Sequence, residues 1–324
     1  MLKKILVPLD SSEIAEQALP VAAELASRAH AAVTLAAVIV PAESWSGGPD
    51  PVFWQQAEEA AADRYLSGIE EGLRKRGIAT HKKIAWGPAA ATISRLAEGE
   101  GADLIVMTTH GRSGVVRWVM GSVADKLLHI ARRPILLLRA KKDATFEQPV
   151  RLERILVPLD GSALSESVLP LVEDLACRLG ATLVLGRVVQ PATIYSGEYI
   201  PPTLAIDEAA ASATEYLDRL AEKERLLGVG VDVEVAIGQA AEAILDVADQ
   251  NGVNLIALSS HGWSGPMRWI MGSVADAIVR HSTLPCLVLP AKASAAQAAD
   301  REGRGSAQAT QPAGVARQEH AGVD

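Results

Sequence analysis

The sequence predicts an α/β protein built from two doubly wound, five-stranded parallel-sheet domains, and two observations support that fold class. The first is a long internal repeat: residues 4–10 (KILVPLD) return at 154–160 (RILVPLD), and twelve of the sixteen residues at 110–125 are identical at 261–276. The second is the alternation of short apolar runs with longer helical patterns in each copy, which is typical of β-α-β units. A repeat of this length is a whole domain rather than a solenoid unit.

The strands are predicted by short, nearly continuous apolar runs, which are typical of strands buried on both faces of a parallel sheet. In the first copy these runs lie at 5–9, 32–38, 79–85, 103–108 and 135–138, and in the second copy at 155–159, 182–188, 231–237, 254–259 and 286–289. Each copy therefore contributes the strands of one small sheet.

Helical patterns fill most of the intervals between these strands. In the first interval Ala18, Ala22 and Leu25 recur at helical spacing. The predicted helices span 12–29, 54–76, the segment from the turn at 87–88 to about 98, and 122–131, with counterparts at 162–179, 205–227, from the turn at 238–239 to about 248, and 273–281. The Pro-, Ser- and Gly-rich stretches at 41–51 and 191–202 are predicted loops, and they are the least similar part of the two copies.

The predicted domains are residues 1–144 and 150–291, with residues 141–149 as the link between the copies. A tail follows at 292–324. It is rich in Ala, Gln, Gly and Arg and almost free of large apolar side chains, so it cannot bury enough surface to offset its ordering entropy. We therefore expect the tail to be disordered.

The composition argues against several classes of protein. Lys and Arg number 31 against 39 Asp and Glu, and the formal net charge of −8 opposes a basic face for nucleic acid. No apolar run reaches transmembrane length, and Pro8 and Asp10 interrupt the first run before it reaches the length of a signal sequence. We expect a cytoplasmic protein without a nucleic-acid or membrane partner. Cys177 and Cys286 occupy non-equivalent positions, which favours two buried, reduced thiols over a disulfide.

The candidate site follows the fourth predicted strand of each copy. Nine residues separate T-T-H-G at 108–111 from G-S at 121–122, and nine separate S-S-H-G at 259–262 from G-S at 272–273. This segment connects a strand to a helix, and in an open α/β sheet ligands bind at that carboxyl edge. Glycines let the backbone approach a ligand closely, and the N-terminus of a helix favours phosphate.

Structural interpretations compete with this one. Ser122 with Asp125, and Ser273 with Asp276, also have the spacing of a helix N-cap and capping box. Asp10 follows the first strand, where a helix cap or a turn carboxylate is an alternative to ligand binding. The chain has no G-x-x-x-x-G-K-[ST] and no G-x-G-x-x-G after the first strand, so a nucleotide would bind by another scheme.

His110 and His261 lie in the same segment of each copy. No second ligand at metal spacing and no nucleophile signature accompanies them, so a hydrogen bond that orders the loop is favoured over catalysis. The sequence therefore assigns no catalytic residue and no metal ligand.

Over residues 2–291 the chain resembles the universal stress proteins, as two tandem domains. The resemblance rests on the first strand ending in Pro-x-Asp and on the H-G segment with its later G-S. ATP-binding members of the family carry G-2x-G-9x-G-[ST], and this chain matches the later positions but has Thr108 and Ser259 in place of the first glycine. The resemblance implies a Rossmann-like, adenine nucleotide alpha hydrolase-like fold with strand order 3-2-1-4-5.

The resemblance also implies one adenine-nucleotide site in each copy, with ATP as the ligand, with or without Mg²⁺. Asp10 and Asp160 would contact the ribose or the adenine, and the main chain of Val38 and Val188 would face the adenine edge. The implied binding residues are Pro8, Asp10, Val38, Thr108, His110, Gly111, Arg112, Gly114, Gly121, Ser122 and Val123 in the first copy, and Pro158, Asp160, Val188, Ser259, His261, Gly262, Gly265, Gly272, Ser273 and Val274 in the second.

The sequence is compatible with three functions: a nucleotide-dependent regulator of a stress response, a slow ATPase assisted by Arg117 or His110, and a nucleotide-free dimerisation scaffold. The absence of a Walker lysine and of an identifiable general base favours binding over turnover. Similar proteins pair through their fifth strands, so 135–138 and 286–289 are expected to pair within one chain. A homodimer of two such chains is a further alternative.

Overall fold

A computed structural model describes residues 2–41, 51–109, 120–140, 152–190, 202–260 and 271–291. The first half contains β1 (Lys4–Leu9), α1 (Glu13–Glu16), α2 (Ala18–Ala29), β2 (Ala32–Ile39), α3 (Pro51–Lys75), β3 (Thr80–Trp86), α4 (Ala89–Gly99), β4 (Leu104–Thr108), α5 (Ser122–Ile130) and β5 (Ile135–Leu138). The second half repeats this order as β6 (Arg154–Pro158), α6 (Ala163–Glu166), α7 (Leu169–Leu179), β7 (Thr182–Val189), α8 (Pro202–Leu226), β8 (Gly230–Ile237), α9 (Ala240–Gln250), β9 (Leu255–Ser259), α10 (Ser273–His281) and β10 (Cys286–Leu289).

The strands form one ten-stranded sheet in the order β3-β2-β1-β4-β5-β10-β9-β6-β7-β8. Neighbouring strands are parallel within each half, whereas β5 and β10 are antiparallel, with Leu136 opposite Leu287. The α/β class with mainly parallel strands is confirmed, and the pairing of β5 with β10, which was expected within one chain, makes the two halves a single mixed sheet. The physical reason is that β5 and β10 would otherwise each expose a row of unpaired backbone groups.

Helices cover both faces of the sheet, and each face has its own hydrophobic core. Along β1, Ile5 and Val7 belong to one core and Leu6 to the other, as the alternation of a strand requires. The first core takes Leu66 of α3 and the α2, α7 and α8 side chains, whereas the second takes Leu127 of α5 and those of α4, α9 and α10. Both cores run through both halves of the chain.

The helix predicted at 12–29 is two helices, and the same is true at 162–179. Helix α1 ends at Glu16 and α6 ends at Glu166. Four residues later stand Pro20 and Pro170, whose rings lack an N–H and collide with the carbonyl of the residue four positions earlier. A continuous helix was therefore the wrong prediction at both places.

The two halves also meet through polar contacts. The Arg280 guanidinium of α10 lies 3.1 Å from an Asp125 carboxylate oxygen of α5, and Arg139 donates to the Ser282 carbonyl at 3.1 Å. On the opposite face, the Leu2 N–H donates to Asp174 at 3.0 Å, and α2 is in contact with α7. The halves are thus joined on both sides of the central strand pair.

The two cysteines are free thiols but differ in exposure. Cys286 lies in β10 and is buried, and burial raises the pKa of its thiol to about 12. Cys177 is exposed on α7, so the prediction of two buried thiols is wrong for that residue.

Several sequence predictions concern residues outside the described ranges, namely most of the loops at 41–51 and 191–202, the link at 141–149 and the tail at 292–324. Within the ranges that are described, no helix combines the length and the hydropathy needed to cross a membrane.

Candidate functional site

Each half has a cavity at the carboxyl edge of its strands, with a volume of about 170 Å³ in the first half and about 150 Å³ in the second. The predicted residues that line the two cavities are Pro8, Asp10, Val38, Thr108, Gly121, Ser122 and Val123, and their counterparts Pro158, Asp160, Val188, Ser259, Gly272, Ser273 and Val274. The structure therefore brings together residues from three strands and one helix that are far apart in the sequence.

The other predicted site residues lie outside the described ranges. They are His110, Gly111, Arg112 and Gly114 in the first half and His261, Gly262 and Gly265 in the second. Arg117, the other residue that could assist hydrolysis in a slow ATPase, lies in the same segment outside the described ranges.

One rim of the cavity carries an aspartate whose carboxylate is held in place by the following turn. Asp10 Oδ1 accepts hydrogen bonds from the Ser12 N–H at 3.1 Å and the Ser12 hydroxyl at 2.6 Å. The same bonds join Asp160 to Ser162 at 2.9 and 2.6 Å. The serines, not the aspartates, cap the short helices that follow, so the interpretation of Asp10 as a helix cap is wrong.

The opposite rim is the N-terminus of α5 or α10. Gly121 and Gly272 are the N-cap residues, so neither Ser122 nor Ser273 occupies the capping position. The predicted capping box is therefore wrong, because each serine is the first residue inside its helix. Asp125, its proposed partner, points instead to Arg280 across the boundary between the halves.

A backbone bond fixes where this helix begins. The Gly121 N–H donates to the Thr109 carbonyl at 2.8 Å, and the Gly272 N–H donates to the Ser260 carbonyl at 2.7 Å. The chain thus returns to the end of β4 or β9 before entering the helix. The first N–H groups of α5 and α10 lack intrahelical partners and carry the positive end of the helix dipole, and they lie beside the cavity.

The floor of the cavity is apolar, and sequence reasoning missed it. Its side chains are Leu9, Ala15, Ala36, Ala89, Ile93, Met107 and Ala124 in the first half, and Leu159, Ala240, Ile244, Leu258, Ala275 and Ile278 in the second, where Ser165 adds a hydroxyl group. Strand alternation could have indicated Ala36, because it lies two residues before Val38 and so faces the same side. The contribution of α4 and α9 depends on packing and has no such local signal.

Few charged side chains line the two cavities. Among the lining residues that the structure describes, each cavity has one carboxylate, Asp10 or Asp160, and no cationic side chain. Elsewhere in the described part of the chain, no group of three or more His, Cys, Asp or Glu side chains is placed to hold a metal ion. An anion in these cavities would thus be bound by backbone N–H and hydroxyl groups of the described rim.

Comparison with known proteins identifies close counterparts of this architecture. A sequence model of the universal stress protein family matches residues 1–139 and again residues 151–290. A universal stress protein of Mycolicibacterium smegmatis is 29% identical over 294 residues, which cover 88% of this chain and 96% of that relative. One from Mycobacterium tuberculosis is 28% identical over 247 residues, covering 73% and 81% of the two chains.

A solved structure shares the fold. The crystal structure of a universal stress protein from Archaeoglobus fulgidus matches with a TM-score of 0.68 at 20% identity, over 89% of this chain and 98% of that one. At this level of identity the likeness concerns the fold alone.

Proposed function

The chain belongs to the universal stress protein family, and from that premise we propose that it is a nucleotide-dependent regulator of a stress response that binds ATP in the cavity of each half. One observation carries the proposal: each cavity is an apolar slot with a fixed carboxylate on one rim and an uncapped helix N-terminus on the other. An adenine nucleotide carries groups that complement these features: a flat apolar base, a hydroxylated ribose and an anionic phosphate chain.

The base fits the apolar part of the slot. Ala36 and Val38 of β2, Ile93 of α4 and Met107 of β4 present methyl and thioether groups to the cavity of the first half. Such a surface takes up an aromatic ring by burying apolar area. In this proposal the backbone polar groups near Val38 and Val188 recognise the edge of the adenine.

The ribose fits the carboxylate rim. A carboxylate accepts hydrogen bonds from hydroxyl groups, and Asp10 and Asp160 are held by Ser12 and Ser162 in fixed orientations at the cavity. Because the aspartate is already ordered by its own turn, less conformational entropy is lost when a ribose binds.

The phosphates fit the helix rim. Gly121 and Ser122 lie at the N-terminus of α5, where backbone N–H groups and the helix dipole favour an anion. Thr108 lies at the end of β4 and lines the same cavity. It stands where ATP-binding members of the family have the first glycine of the motif, so this chain offers a hydroxyl group at that position. Mg²⁺ that arrives with ATP would reduce the charge of the phosphate chain.

Binding alone is sufficient for regulation. A ligand that binds only the folded state stabilises it by about 2.7 kcal/mol at one hundred times its dissociation constant. The concentration of nucleotide would therefore alter the stability and the conformational populations of the chain. In this proposal the functional domains are residues 1–144 and 150–291 joined through β5 and β10, and the ATP-rich cytoplasm is the site of action.

The test is a calorimetric titration of ATP with Mg²⁺ into nucleotide-stripped protein. We compare the unaltered chain with Gly121→Val and Gly272→Val, which place a branched side chain at a lining position of the first and of the second cavity. Two nucleotides should bind to the unaltered chain and one to each variant. Gly72→Val is the matched control, because a Cβ at that position in α3 meets no atom within 4 Å. No heat and no shift in melting temperature for the unaltered chain would refute nucleotide binding.

A further inference from the structure

The two cavities differ in the segment that carries their carboxylate, which we call the carboxylate loop: residues 10–15 in the first half and 160–165 in the second. The aspartate–serine turn is the same in both loops. The differences lie in the residues that surround this turn, and three of them act in the same direction.

The first difference is Ser165, which stands where the first half has Ala15. The Ser165 hydroxyl accepts from the Asp160 N–H at 3.3 Å and donates to the Ser162 carbonyl at 2.9 Å. Both Ser165 and Ala15 are buried and line their cavities. An alanine has no hydroxyl, so the first loop lacks this pair of bonds across its turn.

The second difference is the residue after the aspartate. Ser11 has a φ of 65° and Gly161 a φ of 86°, so both adopt the left-handed region. Glycine enters this region without steric cost, whereas a serine is strained there by its Cβ. The same turn is therefore relaxed in the second half and strained in the first.

The third difference is Arg187, which stands where the first half has Ala37. Its terminal nitrogens lie 3.4 Å from the position that a Cβ on Gly161 would occupy, and its guanidinium lies 4.8 Å over the ring of Tyr216. The Tyr216 hydroxyl donates to Glu166 at 2.8 Å, at the end of the same short helix α6. Arg187 therefore packs between the carboxylate loop and α8, with its guanidinium at van der Waals distance from the position of a Cβ on residue 161.

The first half keeps part of this arrangement. Tyr65 donates to Glu16 at 3.0 Å, as Tyr216 does to Glu166. In the first half, however, the equivalent position of β2 is Ala37, so this strand contributes no guanidinium beside the carboxylate loop. Arg187, Gly161 and Ser165 therefore surround the aspartate–serine turn of the second half, and the first half has a different residue at each of the three positions.

We infer that the second cavity is the preorganised, tighter nucleotide site, and that Ser165 and Arg187 are its positioning residues because they hold Asp160 in its binding orientation before the ligand arrives. This inference rests on the proposed function. A loop that is ordered in advance loses less conformational entropy on binding, so the second site should bind with a dissociation constant about tenfold lower than the first.

The first arm of the test needs no nucleotide. Amide hydrogen exchange is measured on the ligand-free, unaltered chain, and residues 160–165 are compared with residues 10–15. The second loop should exchange about tenfold more slowly, since exchange reports the local opening equilibrium. Equal exchange in the two loops would overturn the inference, whatever the outcome of the binding experiments.

The second arm measures each site alone by titration of ATP with Mg²⁺. Gly121→Val is designed to disable the first site and Gly272→Val the second, and the loss of one bound nucleotide in each variant verifies this before affinities are compared. Adding Ser165→Ala or Arg187→Met to the former should weaken binding about threefold or more, and adding Ala15→Ser to the latter should tighten it. Thr214→Ala, which removes an exposed α8 hydroxyl bonded to Ala210, is the control and should leave affinity unchanged.

The outcomes separate the inference from the proposed function. Equal affinity of the two single-site proteins would overturn the inference and leave nucleotide binding intact. No binding to the unaltered chain would overturn both. A fall in affinity that only accompanies a fall in the melting temperature of the ligand-free variant would show general destabilisation, and it would overturn the assignment of Ser165 and Arg187 as positioning residues.

Discussion

In the first half, Ala23 of α2 and Leu73 of α3 are buried in the core, whereas at the equivalent positions of the second half stand Glu173 of α7 and Glu224 of α8. Glu224 is 0% exposed. The cavities of the two halves are nevertheless lined at largely equivalent positions. The turns and caps that shape the cavities therefore tolerate a large change of chemistry in the neighbouring core.

The glutamate pair has an unusual environment. Both carboxylate oxygens of Glu224 and Oε1 of Glu173 are buried and accept no hydrogen bond within the described part of the chain. Burial and the facing Glu173 raise the pKa of Glu224 to about 7, against the smaller opposing effect of Lys223, whose Nζ lies 3.8 Å away. A proton shared between the two carboxyl groups would supply the missing donor.

The largest expected effect tests whether the cores of the two halves contribute equally to the free energy of unfolding. Leu66 and Leu217 are equivalent, fully buried side chains of α3 and α8. Leu66→Ala and Leu217→Ala should each lower the free energy of unfolding by about 4 kcal/mol, through lost burial and the cavity that remains. Urea denaturation measures both. Two separate transitions in either variant, in place of one, would show that the halves do not share one cooperative core.

The next effect concerns the pH dependence of stability. Because the pKa of Glu224 in the folded protein lies above its unfolded value, the folded state binds the proton more tightly. The stabilisation is complete below about pH 4.5 and is lost as pH rises through about 7, for a total of about 3 kcal/mol.

The matched variant combines Glu173→Ala with Glu224→Leu, which installs the residues of the first half. It should remove this loss, so that its free energy of unfolding exceeds that of the unaltered chain at pH 8 and approaches it at pH 5. Urea denaturation from pH 5 to pH 8.5 measures the difference. Parallel pH profiles for the two proteins would contradict the assignment to this pair.

A smaller effect distinguishes the turns that lead into α4 and α9. Gly87 and Gly238 have φ values of 137° and 149°, so an alanine is strained at either position. A Cβ on Gly87 would also lie 2.8 Å from Thr92 Oγ1, whereas one on Gly238 would lie 3.8 Å from the Ala243 Cβ. Gly87→Ala should therefore lower the free energy of unfolding by about 1 kcal/mol more than Gly238→Ala. Equal losses would mean that Thr92 moves aside freely.

The smallest expected effect lies at the boundary between the halves. Arg280 contacts Asp276 at 2.8 Å and Asp125 at 3.1 Å, with about a third of its side chain exposed. Arg280→Ala should cost about 1 kcal/mol or less in denaturation at low salt, and the cost should shrink at high salt. Arg219→Ala, which breaks a more exposed pair within α8, is the control. A loss that is independent of salt would point to packing by the arginine stem instead.

Much of the fold was predictable because its signals are local. Apolar runs located the strands, and the repeat required both halves to follow one plan. The errors also have local causes that were overlooked: Pro20 and Pro170 end α1 and α6, and the prolines at 51 and 202 begin α3 and α8 earlier than predicted.

The candidate site was predictable in part. Asp10, Thr108 and Gly121 all lie at the carboxyl edge of parallel strands, and topology alone brings such residues together. The apolar floor from α4 and the role of Ser122 were not predictable. A G-S pair before a helix is compatible with a cap on either residue, and only the bond from the Gly121 N–H to the Thr109 carbonyl decides between them.

By itself, the sequence determined the α/β class, the duplicated plan, the family and the strand ends at which a ligand would bind. Those properties depend on periodicity, on proline and glycine, and on motifs, all of which act over a few residues. The tertiary structure alone decided that Arg187 packs against Gly161 and that two glutamates face each other in the core. These are contacts between segments far apart in the chain, and their energies depend on burial and distance, which no local pattern records.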